Sequence, residues 1–166
     1  LAAACATGGW AVVSGLAPGV DAAAHAGCLD AGGRTWAVLG WGVDVVPPDV
    51  DGALAARIVA TGGGVLAEVP PTTPSSPAAR LARNRLQVAL ATAVVVVETE
   101  RGGGAVRTAA DARSQGRPLV VVAPAPGADP LATAGSADLV AVADLVLRPS
   151  ADGAVDPTPL RALLDR

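Results

Sequence analysis

The stretch Val12-Val13-Ser14-Gly15-Leu16-Ala17-Pro18-Gly19-Val20-Asp21-Ala22-Ala23-Ala24-His25 decides the fold. A β-branched run breaks at glycines and restarts as an alanine-rich segment, which reads as a strand, a tight turn and a helix N-terminus. Such junctions seat phosphates because free backbone amides converge on them. Gly15 and Gly19 let the backbone turn sharply and approach a ligand with no Cβ in the way. Asp21 is expected to be the N-cap of the helix. Its carboxylate disfavours a phosphate directly on that helix end, so an anion is expected over the preceding turn or on an arginine from elsewhere.

Outward from this stretch, short apolar runs recur: Ala11 to Ser14, Thr35 to Leu39, Val65 to Val69, Ala93 to Glu98 and Leu119 to Ala123. Between them lie Asp21 to Ala31, Val50 to Thr61, Pro77 to Ala91 and Ala105 to Gln115, rich in Ala, Leu and Arg. Strand and helix alternate throughout, the pattern of βαβ units and a parallel sheet. Gly32-Gly33, Gly62-Gly63-Gly64 and Gly116 fall where helices hand over to strands. The Pro, Ser and Thr segment Pro70 to Pro77 is long for a connection and reads as a functional lid. Asp129-Pro130 is expected to open a short helix. Residues 1–148 read as one domain, Pro149 to Pro159 as a linker, and Leu160 to Arg166 as the first turns of a further element. Leu1 stands where an initiator Met is expected, so the chain reads as a piece of a longer protein.

At 166 residues the chain is one domain's worth, enough to bury a full core. Hydrophobic residues make up 51%, yet Phe, Tyr and Met are absent and Trp occurs three times, so Ala, Val and Leu must pack that core. Such small side chains suit a parallel sheet covered by close-packed helices. Two cysteines, Cys5 and Cys28, are too few for a disulfide framework and lack metal-ligand spacing. A reduced, cytoplasmic setting follows, with no metal and no cofactor expected. No apolar run approaches the roughly 18 residues of a membrane span. A net charge of −3 argues against a basic coat for nucleic acid but leaves room for one local cleft. All twelve basic residues are arginines, whose planar fork of donors suits phosphate.

In an open parallel sheet, ligands sit over the carboxyl ends of the strands. Those ends carry Ser14-Gly15-Leu16-Ala17, Gly40-Trp41-Gly42-Val43-Asp44, Glu68-Val69-Pro70, Glu98-Thr99-Glu100 and Ala123-Pro124. Glycines that serve ligands and glycines that serve only turns look alike at this level. Arg80 and Arg83 share a helix face, one turn apart, while Arg85 points elsewhere, so a phosphate clamp and a solvated face both remain open. Arg101-Gly102-Gly103-Gly104-Ala105-Val106-Arg107-Thr108 can form an anion nest. No Lys-Ser/Thr follows, so it is not a Walker A loop, and Gly40-x-Gly42 lacks the third glycine of a dinucleotide fingerprint. The lone histidine, His25, and Cys28 read as packed core residues.

Taken in order, these motifs resemble the DNA processing protein A family, also called Smf. The stretch Ser14, Gly15, Leu16, Ala17, Gly19, Asp21 and His25 matches its central pattern, followed by Gly33-Arg34-Thr35 and Ala37-Val38-Leu39-Gly40-x-Gly42-Val43-Asp44. Glu68-x-Pro70-Pro71, Arg83-Asn84-Arg85, Val97-Glu98, the loop ending at Gly104, Thr108-Ala109 and Gly116-Arg117 complete the set, which spans about Gly9 to Leu147. The resemblance implies a Rossmann-like, three-layer αβα domain with a mostly parallel sheet. It implies single-stranded DNA binding and delivery of that DNA to the RecA recombinase in natural transformation, without catalysis and away from membranes. Ser14, Gly15, Leu16, Ala17, Gly19, Gly40, Arg80, Arg83, Asn84, Arg85, Gly103, Gly104 and Thr108 are its implied DNA contacts. Self-association into a homodimer, and a following winged-helix domain, stay open.

The sequence departs from the family pattern at several positions. The family's first strand, with its Gly-x-Arg motif, is expected before Leu1. Ala26 replaces a basic residue, Ala79-Arg80-Leu81-Ala82 an aromatic and a lysine, Ala67 a serine, and Gly103-Gly104-Ala105 a Ser-Gly-Ser loop. Each exchange removes a polar, cationic or stacking group, and stacking is a large part of single-strand affinity. The alternative reading is a nucleoside 5′-monophosphate phosphoribohydrolase of the same superfamily, with Glu98 or Glu68 stabilising an oxocarbenium-like state. Its Pro-Gly-Gly-x-Gly-Thr-x-x-Glu motif is missing.

Overall fold

Runs of three to five mostly Val, Leu and Ala residues form every strand of the computed structural model, which describes residues 1–166. The chain divides into two compact units, Leu1–Gln87 and Val88–Arg166, each with its own three-stranded parallel sheet. The first carries α1 (Ala2–Thr7), β1 (Val12–Ser14), α2 (Val20–Asp30), β2 (Thr35–Leu39), α3 (Gly52–Ala60), β3 (Gly64–Ala67) and most of α4 (Pro77–Leu90). Its strands lie in the order β1-β2-β3, with Ser14 opposite Ala37 and Leu39 opposite Ala67. Leu29, Ala37, Leu39, Leu54 and Ile58 pack together with Leu16 and Trp41 as the core. That core buries the α2 and α3 faces that the sequence supplies with aliphatic residues.

The second unit holds β4 (Val94–Val96), α5 (Gly104–Ser114), β5 (Leu119–Val122), α6 (Ala134–Val140), β6 (Leu145–Leu147) and α7 (Thr158–Leu164). β5 is buried along its whole length, as a central parallel strand should be. Val96, Ala109, Ala112, Leu119, Val121 and Leu139 form its core. The Asp144 carboxylate accepts the Leu119 N–H at 2.7 Å while the Asp144 N–H donates to the Leu119 carbonyl at 2.8 Å, which fixes the β5–β6 register.

All five expected strands and all four expected helices form, with ends shifted by a few residues. β3 stops at Ala67 instead of reaching Val69, and β4 at Val96 instead of Glu98, because the pairing with β2 and β5 ends there. Two elements were not expected, α1 and β6, and the turns expected over Leu160 to Arg166 appear as α7, which starts two residues earlier. α7 seats Leu160 in the interior and packs on β6. Asp129 caps the Leu131 N–H at 2.9 Å but opens only a turn, and the helix α6 starts four residues after Pro130. The segment from Pro70 is strapped down at its start: Gly42 donates to the Thr73 carbonyl at 2.8 Å and Asp44 to that of Pro71 at 2.9 Å.

Candidate nucleic-acid interface

The turn after β1 is held from within. Asp21 lies in the first turn of α2 but is not its cap, a place taken by Gly19 at φ 89°, in the left-handed region open to glycine. The Asp21 side chain reaches back instead. One oxygen accepts the Ser14 hydroxyl at 2.6 Å, and the other accepts the Gly15 and Ala17 N–H groups at 3.1 and 3.2 Å. The carboxylate thus fills the amide cradle that the sequence offers to a phosphate. Leu16, between those amides, adopts a left-handed φ of 59° and buries its side chain in the core. That conformation costs a non-glycine residue on the order of 1 kcal/mol.

Arg83 lies against this turn. A Cβ at Gly15 would fall 2.1 Å from its guanidinium nitrogens, so only glycine leaves room for the charge. The residue is 7% exposed. Its Nη1 donates to the Val38 carbonyl on β2, and its Nε to the Arg80 carbonyl and to Asn84 Oδ1, both at 3.0 Å. All these acceptors are neutral, and Arg83 is in none of the ion pairs. Burial pushes its pKa down, opposed by the field of Asp21 and aided by that of Arg80. A desolvated cation without a carboxylate partner is a strong local source of positive potential.

The neighbouring positions divide differently from the shared face of Arg80 and Arg83. Arg80 forms a bidentate pair with Asp49 at 2.7 and 2.9 Å, donates to Ser75 at 2.8 Å, and sits 5.0 Å from the ring centre of Trp41. Arg85 is exposed and paired with Glu68. Gly40 is buried against the α4 backbone, where a Cβ would lie 2.6 Å from the Arg80 Cα. His25 is fully buried, as its packed reading expects. The Thr35 hydroxyl donates to the Val12 carbonyl at 2.8 Å, so His25 Nδ1, 2.6 Å from that hydroxyl, is the donor to it. Desolvation lowers the His25 pKa to about 4, against a raising contribution from Asp21.

Gly103, Gly104 and Thr108 belong to the second unit. Gly103 precedes α5 with no side-chain cap, and Thr108 bonds back to the Gly104 carbonyl at 3.2 Å. A Cβ on Gly103 would meet the Thr99 hydroxyl at 2.4 Å. Thr99 and Ser136 exchange two hydrogen bonds, at 2.8 and 3.0 Å, which tie this loop to α6. Glu98 and Glu100 are exposed beside it.

The sequence profile of DNA recombination-mediator protein A matches residues 1–150. The chain belongs to that family. A DNA processing protein named DprA from Mycobacterium tuberculosis is 46% identical over 127 residues, which cover 76% of this chain and 31% of that protein. DNA processing protein A from Streptococcus pneumoniae superposes with a TM-score of 0.73 at 32% identity, covering 87% of this chain and 53% of its own. The Helicobacter pylori protein, described for its single-stranded DNA binding mode, gives 0.71 at 25% identity, over 87% and 65%. The chain therefore spans about a third of the curated relative's length. These neighbours share its Rossmann-like α/β fold. No helix is long and apolar enough to cross a membrane.

Within the DNA recombination-mediator protein A pattern, sequence reasoning missed the partners of its own candidates. Asp49 and Trp41 hold Arg80, Asp21 holds the turn, and Val38 receives Arg83. The seven-residue spacing of Ser14 and Asp21 across a glycine turn is the one signal that could have revealed any of them.

Proposed function

We propose that the chain binds single-stranded DNA as a recombination mediator and performs no chemistry on it. Family membership supports this reading, and the observation that carries it is Arg83: a buried guanidinium without a carboxylate partner, set against Gly15 at the carboxyl end of β1. A phosphate drawn to that strand end meets the Arg83 charge, which the nearby Asp21 carboxylate opposes through its field without pairing it, and the strand ends are where such sheets bind ligands. Ser14, Gly15, Leu16, Ala17, Gly19, Gly40, Arg80, Arg83, Asn84 and Arg85 frame this locus. Gly103, Gly104 and Thr108, at the start of α5 in the second unit, are further contacts in this reading. Residues 1–148 form the binding domain in this reading, and 149–166 a linker with the start of a further segment, whose α7 packs on β6.

The wider role implied by the family resemblance is protection of incoming DNA in the cytoplasm and its delivery to the RecA recombinase in natural transformation, with self-association into a homodimer left open. No observation favours the phosphoribohydrolase alternative. Glu68 is engaged by Arg85, and Glu98 is exposed in the second unit. The test is fluorescence anisotropy of a labelled single-stranded oligonucleotide across a salt series, with duplex as competitor. Preference for single strands and a steep loss of affinity with salt are expected. A folded chain that binds no oligonucleotide at low salt contradicts the reading.

A further inference from the structure

A pocket of about 180 Å³ opens beside α3, walled by side chains that are all apolar. Leu16, Leu39 and Trp41 form its buried wall, and Val43, Val46 and Val59 its rim. The rim is exposed by 44, 65 and 54%, which gathers three accessible aliphatic side chains around an apolar cavity. The mouth is pre-formed: Val45 donates to the Gly42 carbonyl at 2.9 Å, Asp44 to that of Pro71 at 2.9 Å, and Val50 to that of Pro47 at 3.0 Å. Little ordering cost is therefore left for a guest. An aliphatic cavity of about 150 Å³ accepts a benzene-sized molecule, so this one has room for a single leucine or isoleucine side chain.

Charge selects the kind of guest. From Thr35 to Ala56 every charged residue is an aspartate: Asp44, Asp49 and Asp51 alternate with the lining valines. Arg80 neutralises Asp49, while Asp51 caps α3 through the Ala53 and Leu54 N–H groups at 2.9 and 3.1 Å. Asp44 is exposed and forms no ion pair. The nearby Arg57 is engaged by Asp30. The rim thus repels nucleic-acid phosphates and anionic lipid and attracts a cationic flank.

We infer that this pocket docks a partner protein through a peptide segment whose large aliphatic side chain is flanked by arginine or lysine. The aliphatic side chain fills the cavity, and the flanking cations face Asp44 and Asp51. Leu16 links the pocket to the Gly15 turn, so a seated guest also shifts the amides of Gly15 and Ala17. The inference does not depend on DNA binding.

The test titrates the ¹⁵N-labelled chain with acetyl-Arg-Leu-Leu-Arg-amide and, separately, with acetyl-Glu-Leu-Leu-Glu-amide. Saturable shifts at Val43, Val46 and Val59 are expected with the basic peptide, bound at least about tenfold more tightly than the acidic one. Val46→Lys, at a mostly exposed site, should weaken the basic peptide by about tenfold or more while the remaining spectrum stays folded. Equal binding of both peptides, no shift at the rim, or full affinity in Val46→Lys overturns the proposal. Shifts of the same amides with protein concentration alone also overturn it, by assigning the pocket to a second copy of this chain.

Discussion

The Ser14 hydroxyl donates to the Asp21 carboxylate at 2.6 Å, across a turn whose Gly15 and Ala17 amides bind the same side chain. A strand end and a helix start are thereby locked to one another by a single residue. Hydrogen bonds to a charged group contribute more than neutral ones. Asp21→Ala leaves the Gly15 and Ala17 amides without their acceptor and should cost about 1–3 kcal/mol. Urea denaturation gives the loss, and faster hydrogen exchange at Gly15 and Ala17 places it in the turn.

Glycine positions around the site should differ in severity. At Gly15 a Cβ meets the end of a flexible arginine, whereas at Gly40 it meets the α4 backbone at 2.6 Å. Gly40→Ala must move a helix and should cost about 1–3 kcal/mol or more. Gly15→Ala should cost less in stability and mainly expel the Arg83 guanidinium from Val38. Thermal unfolding ranks the two variants, and the Arg83 side-chain NMR signals report the displacement.

Acid should weaken the fold through His25. Its folded pKa of about 4 lies below the unfolded value of 6.5, so the unfolded chain binds more protons between these values. The stability contributed by keeping the ring neutral is complete above pH 6.5 and is lost as pH falls toward about 4. By linkage the loss amounts to about 3 kcal/mol at most. The urea midpoint should fall over this window in the parent chain and fall less in His25→Gln.

Arg80 should matter little to stability. Its pair with Asp49 is solvent-screened, and the contact with Trp41 is a single cation–π approach. Arg80→Gln should lower the unfolding midpoint only slightly and change the Trp41 fluorescence, since the cation leaves the ring.

The alternation of valine runs with alanine-rich segments made the parallel α/β fold legible, because glycines mark the handover from each segment to the next run. Leu145–Leu147 is a three-residue strand whose register depends on Asp144 and Leu119, a pairing that spacing cannot reveal. The family pattern located the β1 turn and Arg83. What escaped was direction. Asp21 looked like an N-cap because it precedes the alanine run, yet the helix starts at Val20 and its carboxylate turns back to Ser14. Arg83 offered two readings from sequence, a clamp or a solvated face. Its burial depends on space left by Gly15, far away along the chain.

The most direct test of the account is the amide spectrum of the ¹⁵N-labelled chain titrated with a short single-stranded oligothymidylate at low salt. Saturable shifts are expected at Gly15, Ala17 and Gly40, weakened in Arg83→Met, with a duplex of equal length competing poorly. Binding that leaves these amides unmoved, or is unchanged in a folded Arg83→Met, contradicts it.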